Sequence, residues 1–94
     1  MQRAEQIDGG ASVEAVLRAL LSDVLGLAPA RVAQFNIATE LFGALPEFDS
    51  MAVASLLTGI EERLGVLIED DDVGAEDFGT FGRLLAFVER LALR

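Results

Sequence analysis

Asp49-Ser50-Met51-Ala52-Val53-Ala54-Ser55-Leu56-Leu57-Thr58-Gly59-Ile60-Glu61-Glu62-Arg63-Leu64-Gly65 reads as one amphipathic helix whose start and stop are both written in its residues. Ser50 opens it, and Gly65 sits where a glycine closes a helix. Val53, Leu57, Ile60 and Leu64 recur at the spacing of a buried stripe. At about 100° per residue, Met51 falls with Ser55, Thr58 and Glu62 on the opposite side. A large apolar side chain there has two readings: a contact point for a partner, or a residue folded under the preceding loop against Phe48 or Leu45. Asp49-Ser50 also has two. Both residue types are favoured helix openers, so the pair can be only a cap. Yet one cap needs one residue, and no Glu or Gln lies three positions later to complete a capping box. A helix start also stabilises a phosphodiester as readily as it satisfies a cap.

Working outward, Ser12 is the expected N-cap and Gly26 the expected terminator of a first helix, with Val13, Val16, Leu17, Leu20 and Val24 facing inward and Glu14, Arg18 and Ser22 opposite. From Leu27 to Asp49 no period is sustained. Pro29, Asn36, Gly43 and Pro46 break the segment, and Val32, Phe35, Ile37, Leu41, Phe42 and Leu45 are its candidate apolar anchors. A loop that long in a small domain is functional, packed by its own side chains, or partly helical, and a short turn is expected after Pro29. Downstream, Glu69-Asp70-Asp71-Asp72 can cap or begin a short helix near Val73 to Asp77. Thr80 reads as the N-cap of a last helix with Phe81, Leu84, Leu85, Val88, Leu91 and Ala92 on one face, and Arg83, Arg90 and Arg94 on the other. No segment alternates as a strand would. The expected fold is all-α: a small four-helix bundle of three main helices and one short one, with a long structured loop between the first two main helices. Residues 1–11 are expected to be a flexible tail and 12–94 a single domain.

Composition narrows the function. The chain has 94 residues, 52% of them hydrophobic, enough for one modest core. It contains no His, no Cys and no Lys, so the commonest general base and the usual activated nucleophiles are missing. Without cysteine there is neither a disulfide framework nor a thiolate metal site. Sixteen acidic residues against seven arginines give a formal net charge of −9, which repels nucleic acid and anionic membranes and attracts basic protein faces. The acidic run from Glu69 lacks the spaced ligands, central Gly and closing Glu of an EF-hand loop, and reads as a solvated helix start. No stretch resembles a signal peptide or a membrane span, so the expected location is the cytoplasm. The inventory describes a protein that other proteins act on, not a catalyst.

Three segments carry a family resemblance: Leu41-Phe42-Gly43-Ala44-Leu45-Pro46-Glu47-Phe48-Asp49-Ser50-Met51, then Ile60-Glu61-Glu62-Arg63-Leu64-Gly65-Val66, then Glu76-Asp77-Phe78-Gly79-Thr80-Phe81 followed by Leu84 and Val88. In this order and spacing, over roughly Val13 to Leu91, the chain resembles the acyl carrier proteins. The resemblance implies a 4′-phosphopantetheine on Ser50, moved from coenzyme A by a phosphopantetheinyl transferase, with the arm's thiol holding a cargo as thioester. It implies that Asp49 helps the modifying enzyme and its metal engage the site. It makes Met51 a partner contact, and Met51, Ser55, Thr58, Glu61 and Glu62 the candidate partner face. Implied partners are the transferase, an acyl-loading ligase or transferase, and downstream condensing or transferring enzymes, met by a monomer that binds no nucleic acid and is not stably membrane-associated.

Two departures shape the expectation. Leu45-Pro46-Glu47-Phe48-Asp49 replaces the frequent Leu-Gly-x-Asp approach to the serine. Ala52 and Ser55 stand where fatty-acid carriers usually have acidic residues. The sequence is therefore more similar to dedicated carriers, of the kind found beside ligases or in exopolysaccharide and secondary-metabolite loci. D-alanyl carriers share Asp-Ser-Met, which keeps an aminoacyl cargo open. The reading of a different class is an unmodified helical interaction module in which Ser50 only caps.

Overall fold

The computed structural model describes residues 9–93. It contains four α-helices in the order α1 (Gly9–Leu25), α2 (Pro29–Ala33), α3 (Ser50–Leu64) and α4 (Phe81–Ala92), with 3₁₀ turns at Asp70–Asp72 and Ala75–Phe78 between the last two. Among the described residues the only β pairing is an isolated antiparallel bridge between Glu40 and Thr80. α1 is the central element and packs on α2, α3 and α4. Its buried side is Val13, Leu17, Leu20, Leu21 and Leu25, with Val16 and Val24 half-buried at the margins. α1 starts at Gly9, so position 12 lies inside the helix and not at the N-cap expected for Ser12. Of the expected tail, residues 1–8 lie outside the described residues.

The turn expected after Pro29 is α2, a single helical turn with proline where its missing N–H costs nothing. The short helix expected near Val73 to Asp77 is two 3₁₀ turns. Each is closed locally, Asp72 accepting from the Glu69 N–H at 2.8 Å and Asp77 from the Gly74 N–H at 2.9 Å. α4 begins where expected, with the Thr80 hydroxyl accepting from the Arg83 N–H at 3.1 Å. Its buried set includes Phe87 beside Phe81, Leu84, Val88 and Leu91.

Two assignments along the chain are corrected. The buried line of α3 is Ala52, Leu56 and Ile60, and Val53, Leu57 and Leu64 are only half-buried on its flank. Apolar residues cover a wide arc of this helix, and its approach to α1 selects the part of that arc carrying the small Ala52. In the loop, Val32, Phe35 and Leu41 are buried anchors, but Ile37 is 74% and Phe42 48% exposed. Both are held by backbone. The Ile37 carbonyl accepts from the Gly82 N–H at 3.1 Å, Thr39 O from Phe81 N at 2.8 Å, and the Leu41 and Phe42 amides donate to Gly79 and Phe78 at 3.0 Å each. Successive side chains of such an extended stretch point to opposite sides, so Leu41 enters the core and Phe42 leaves it. Glycine at position 82 permits the approach, because a Cβ there would lie 2.8 Å from the Ile37 carbonyl oxygen.

Candidate functional site

The loop delivers Asp49-Ser50-Met51 by burying the residue just before them. Phe48 is 3% exposed and packs between two rings, edge-on to Phe42 and tilted on Phe78, with centroids 6.1 Å away in each case. With Phe48 anchored, Asp49 adopts an extended backbone and Ser50 begins α3. The Asp49 carboxylate accepts from the Ala52 N–H at 2.9 Å, and its carbonyl accepts from Val53 N at 3.0 Å. Asp49 is therefore the cap. Ser50 is exposed and outside that bond, and no hydrogen bond ties its hydroxyl to another described residue. The first amides of a helix have no intrahelical acceptor, so the hydroxyl stands at a positively polarised end suited to an anion. Asp49→Ala should cost about 1 kcal/mol, lowering Tm by about 4–8 °C in a domain of this size. Asp49→Asn, which can still cap, should retain most of it. Thermal melts of the two variants check this.

Beside Ser50 opens a hollow of about 230 Å³ lined by Phe42, Ser50, Val53, Ala75 and Phe78. Only Ser50 among these is polar. The hollow was not legible in the sequence, because its walls come from the loop, α3 and the second 3₁₀ turn. The half-burial that removes Val53 from the core stripe is what places it here.

The candidate partner face divides. Met51 is 76% exposed, which settles its placement against packing under Phe48 or Leu45. Ser55, Thr58 and Glu62 are exposed with it on one side of α3 and border a shallow hollow with Ala54 and Gly59. Glu61 stands apart: it is half-buried, and its carboxylate accepts from the Ile68 N–H at 2.8 Å, holding the chain that leaves α3. Gly65 closes the helix in the left-handed region, φ 66°, with its N–H on Glu61 O.

Sequence reasoning also missed Arg18. Set opposite the apolar face of α1 by helical spacing, it instead reaches to the loop and to α4. Its guanidinium pairs with Glu14 at 2.8 and 2.9 Å, donates to the Val32 carbonyl at 2.7 Å and the Phe35 carbonyl at 3.1 Å, and lies 4.5 Å from the centroid of the Phe81 ring.

The family model described as "phosphopantetheine attachment site" matches residues 15–88. Among solved structures, the chain is similar to a holo acyl carrier protein from Nitrosomonas europaea determined by solution NMR, at 39% identity and a TM-score of 0.75, over 87% of this chain and 96% of that one. No curated protein sequence matches significantly. The residues at the start of α3 fit a phosphopantetheine: an exposed hydroxyl relieved of capping duty, at a helix end that favours phosphate, next to an apolar hollow. By fold, by family match and by a relative of this identity, the chain belongs to the acyl carrier proteins, the carriers of a covalently attached 4′-phosphopantetheine.

Proposed function

We propose that Ser50 is the attachment residue and that the protein carries an acyl group for partner enzymes. The observation that supports this most directly is the division between neighbours: Asp49 caps α3, so the Ser50 hydroxyl is left over at the helix start. Attachment forms a bond between Ser50 Oγ and the β-phosphorus of coenzyme A, breaks the pyrophosphate bond with release of adenosine 3′,5′-bisphosphate, and gives up the hydroxyl proton. The protein has no His, Lys or Cys to take that proton, so the base and metal belong to the transferase. The bound group then supplies the terminal thiol on which a cargo is held as thioester. Beyond its capping role, Asp49 offers its carboxylate to the modifying enzyme. Asp49→Asn separates the two roles, since slower modification with an unchanged Tm isolates the charge.

The apolar lining of the hollow beside Ser50 favours an acyl chain over an aminoacyl group, and the cargo lies between α3 and the segment from Ile68 to Phe78. Around Met51 the outer side of α3 is neutral at Ala54, Ser55 and Thr58. The partners that dock there bury an apolar side chain and do not rely on an acidic helix. Met51→Ala should slow a partner reaction about tenfold, the loss of one modest interface anchor, while changing stability by less than about 0.5 kcal/mol. Loading kinetics and a thermal melt on the same samples check both halves.

The carrier reading is tested by intact mass after incubation with coenzyme A and several broad-specificity phosphopantetheinyl transferases. A gain of one phosphopantetheine is expected. No gain with any of them overturns the reading in favour of an unmodified interaction module.

A further inference from the structure

We infer that Phe42 is the partition that sets how long a cargo chain the protein can shelter, an inference that rests on Ser50 being the attachment residue. Five of the six phenylalanines are buried, and Phe42 is the exception at 48% exposure. It is nevertheless firmly placed. Its N–H donates to the Phe78 carbonyl at 3.0 Å, and its ring stands edge-on to Phe48 at an interplanar angle of 89°. It borders two hollows. On one side is the apolar hollow of Ser50, Val53, Ala75 and Phe78, about 230 Å³. On the other is a larger space of about 460 Å³ with a mixed lining, to which Glu40, Glu76 and Arg83 bring two carboxylates and a guanidinium.

The two spaces differ in what they can accept. An apolar cavity of about 150 Å³ is enough to hold a benzene ring, so the Ser50 hollow takes an alkyl chain on the order of eight carbons. A longer chain must either stay in water or pass Phe42 into surroundings that carry carboxylates and a guanidinium. As long as the ring is in place, burial of cargo ends there. Removing it joins the hollows and extends the apolar path by the volume of the ring. Enlarging it shortens the path. Phe42 thus acts on chain length without touching the thioester chemistry, and its exposed position is explained by the work of dividing two spaces.

The test uses the full chain loaded with acyl-phosphopantetheine of increasing saturated chain length, transferred from the corresponding acyl-coenzyme A, with each species verified by mass and then melted. Cargo that is buried in the native state and released on unfolding raises Tm with each added carbon until the hollow is full. In the wild type the gain is expected to level off at medium length. In Phe42→Ala and Phe42→Leu the levelling point should move to longer chains, and in Phe42→Trp to shorter ones. The leucine and tryptophan variants decide the matter if the alanine variant folds poorly. The same levelling point in all variants, or a wild type whose Tm ignores chain length, overturns the inference. Failure of every sample to load, seen in the mass before any melt, instead overturns the attachment reading and this inference with it.

Discussion

Ser50→Ala is expected to take up no phosphopantetheine under conditions that convert the wild-type protein fully, while remaining folded. The effect is all-or-none because no other described hydroxyl is placed to substitute. Ser22 donates to the Leu27 carbonyl at 2.6 Å, Thr39 accepts from the Asn36 N–H at 2.8 Å, and Thr80 caps α4. Ser55 and Thr58 are exposed, but they lie within α3, where the backbone amides are already spent on helix bonds. The stability change should stay within about 0.5 kcal/mol, since an exposed serine that does not cap is replaced by the best helix former. Intact mass and a thermal melt read the two halves separately. An undiminished mass gain in Ser50→Ala would move the attachment point elsewhere.

Arg18→Ala is expected to destabilise the domain by about 2–3 kcal/mol, from two charge-assisted hydrogen bonds to carbonyls and one cation–π contact in a partly buried setting. At about 4–8 °C per kcal/mol this is a fall in Tm of roughly 10–20 °C. The Glu14 pair contributes little of this, being solvent-exposed on one side, so Glu14→Ala should cost under about 1 kcal/mol. Arg18→Lys should restore only part of the loss. A lysine ammonium is a point charge, and it cannot span the Val32 and Phe35 carbonyls while lying flat on Phe81. A full rescue by lysine, measured in the same melts, would reduce Arg18 to a surface charge. Because Arg18 ties α1 to the loop and to α4 in one side chain, its loss should also loosen the approach to Ser50, visible as faster amide exchange at Val32 through Phe35.

The contrast between these residues shows what a single sequence carries. The bounds of α3 were readable because both ends depend on short-range chemistry: a carboxylate three residues from the amide it caps, and a glycine at φ 66°. Thr80 was readable for the same reason. The inward face of α3 was not. Its apolar residues cover too wide an arc, and only the position of α1 decides that Leu56 is buried while Val53 turns to the hollow. Ile37 and Phe42 were misassigned because an apolar side chain in a loop suggests an anchor, whereas here the backbone does the anchoring. Arg18 was misassigned because its partners at Val32, Phe35 and Phe81 come together only in the finished bundle. At the site, Asp49 and Ser50 could be read as a helix start from residue type and order, while helical period set Met51 opposite the apolar stripe but left its exposure open between two readings. The space beside them depends on three separate segments and could not.

The clasp between residues 37–42 and 78–82 has a consequence for how the protein folds. The amides of Phe81 and Gly82, at the start of α4, find their acceptors in Thr39 and Ile37. The course of the loop that leads to Ser50 is therefore tied to a segment distant in the sequence. Pairings this distant in sequence are among the last to form. The stretch before Ser50 and the entry to α4 are therefore expected to order together and late, as one cooperative unit of the domain.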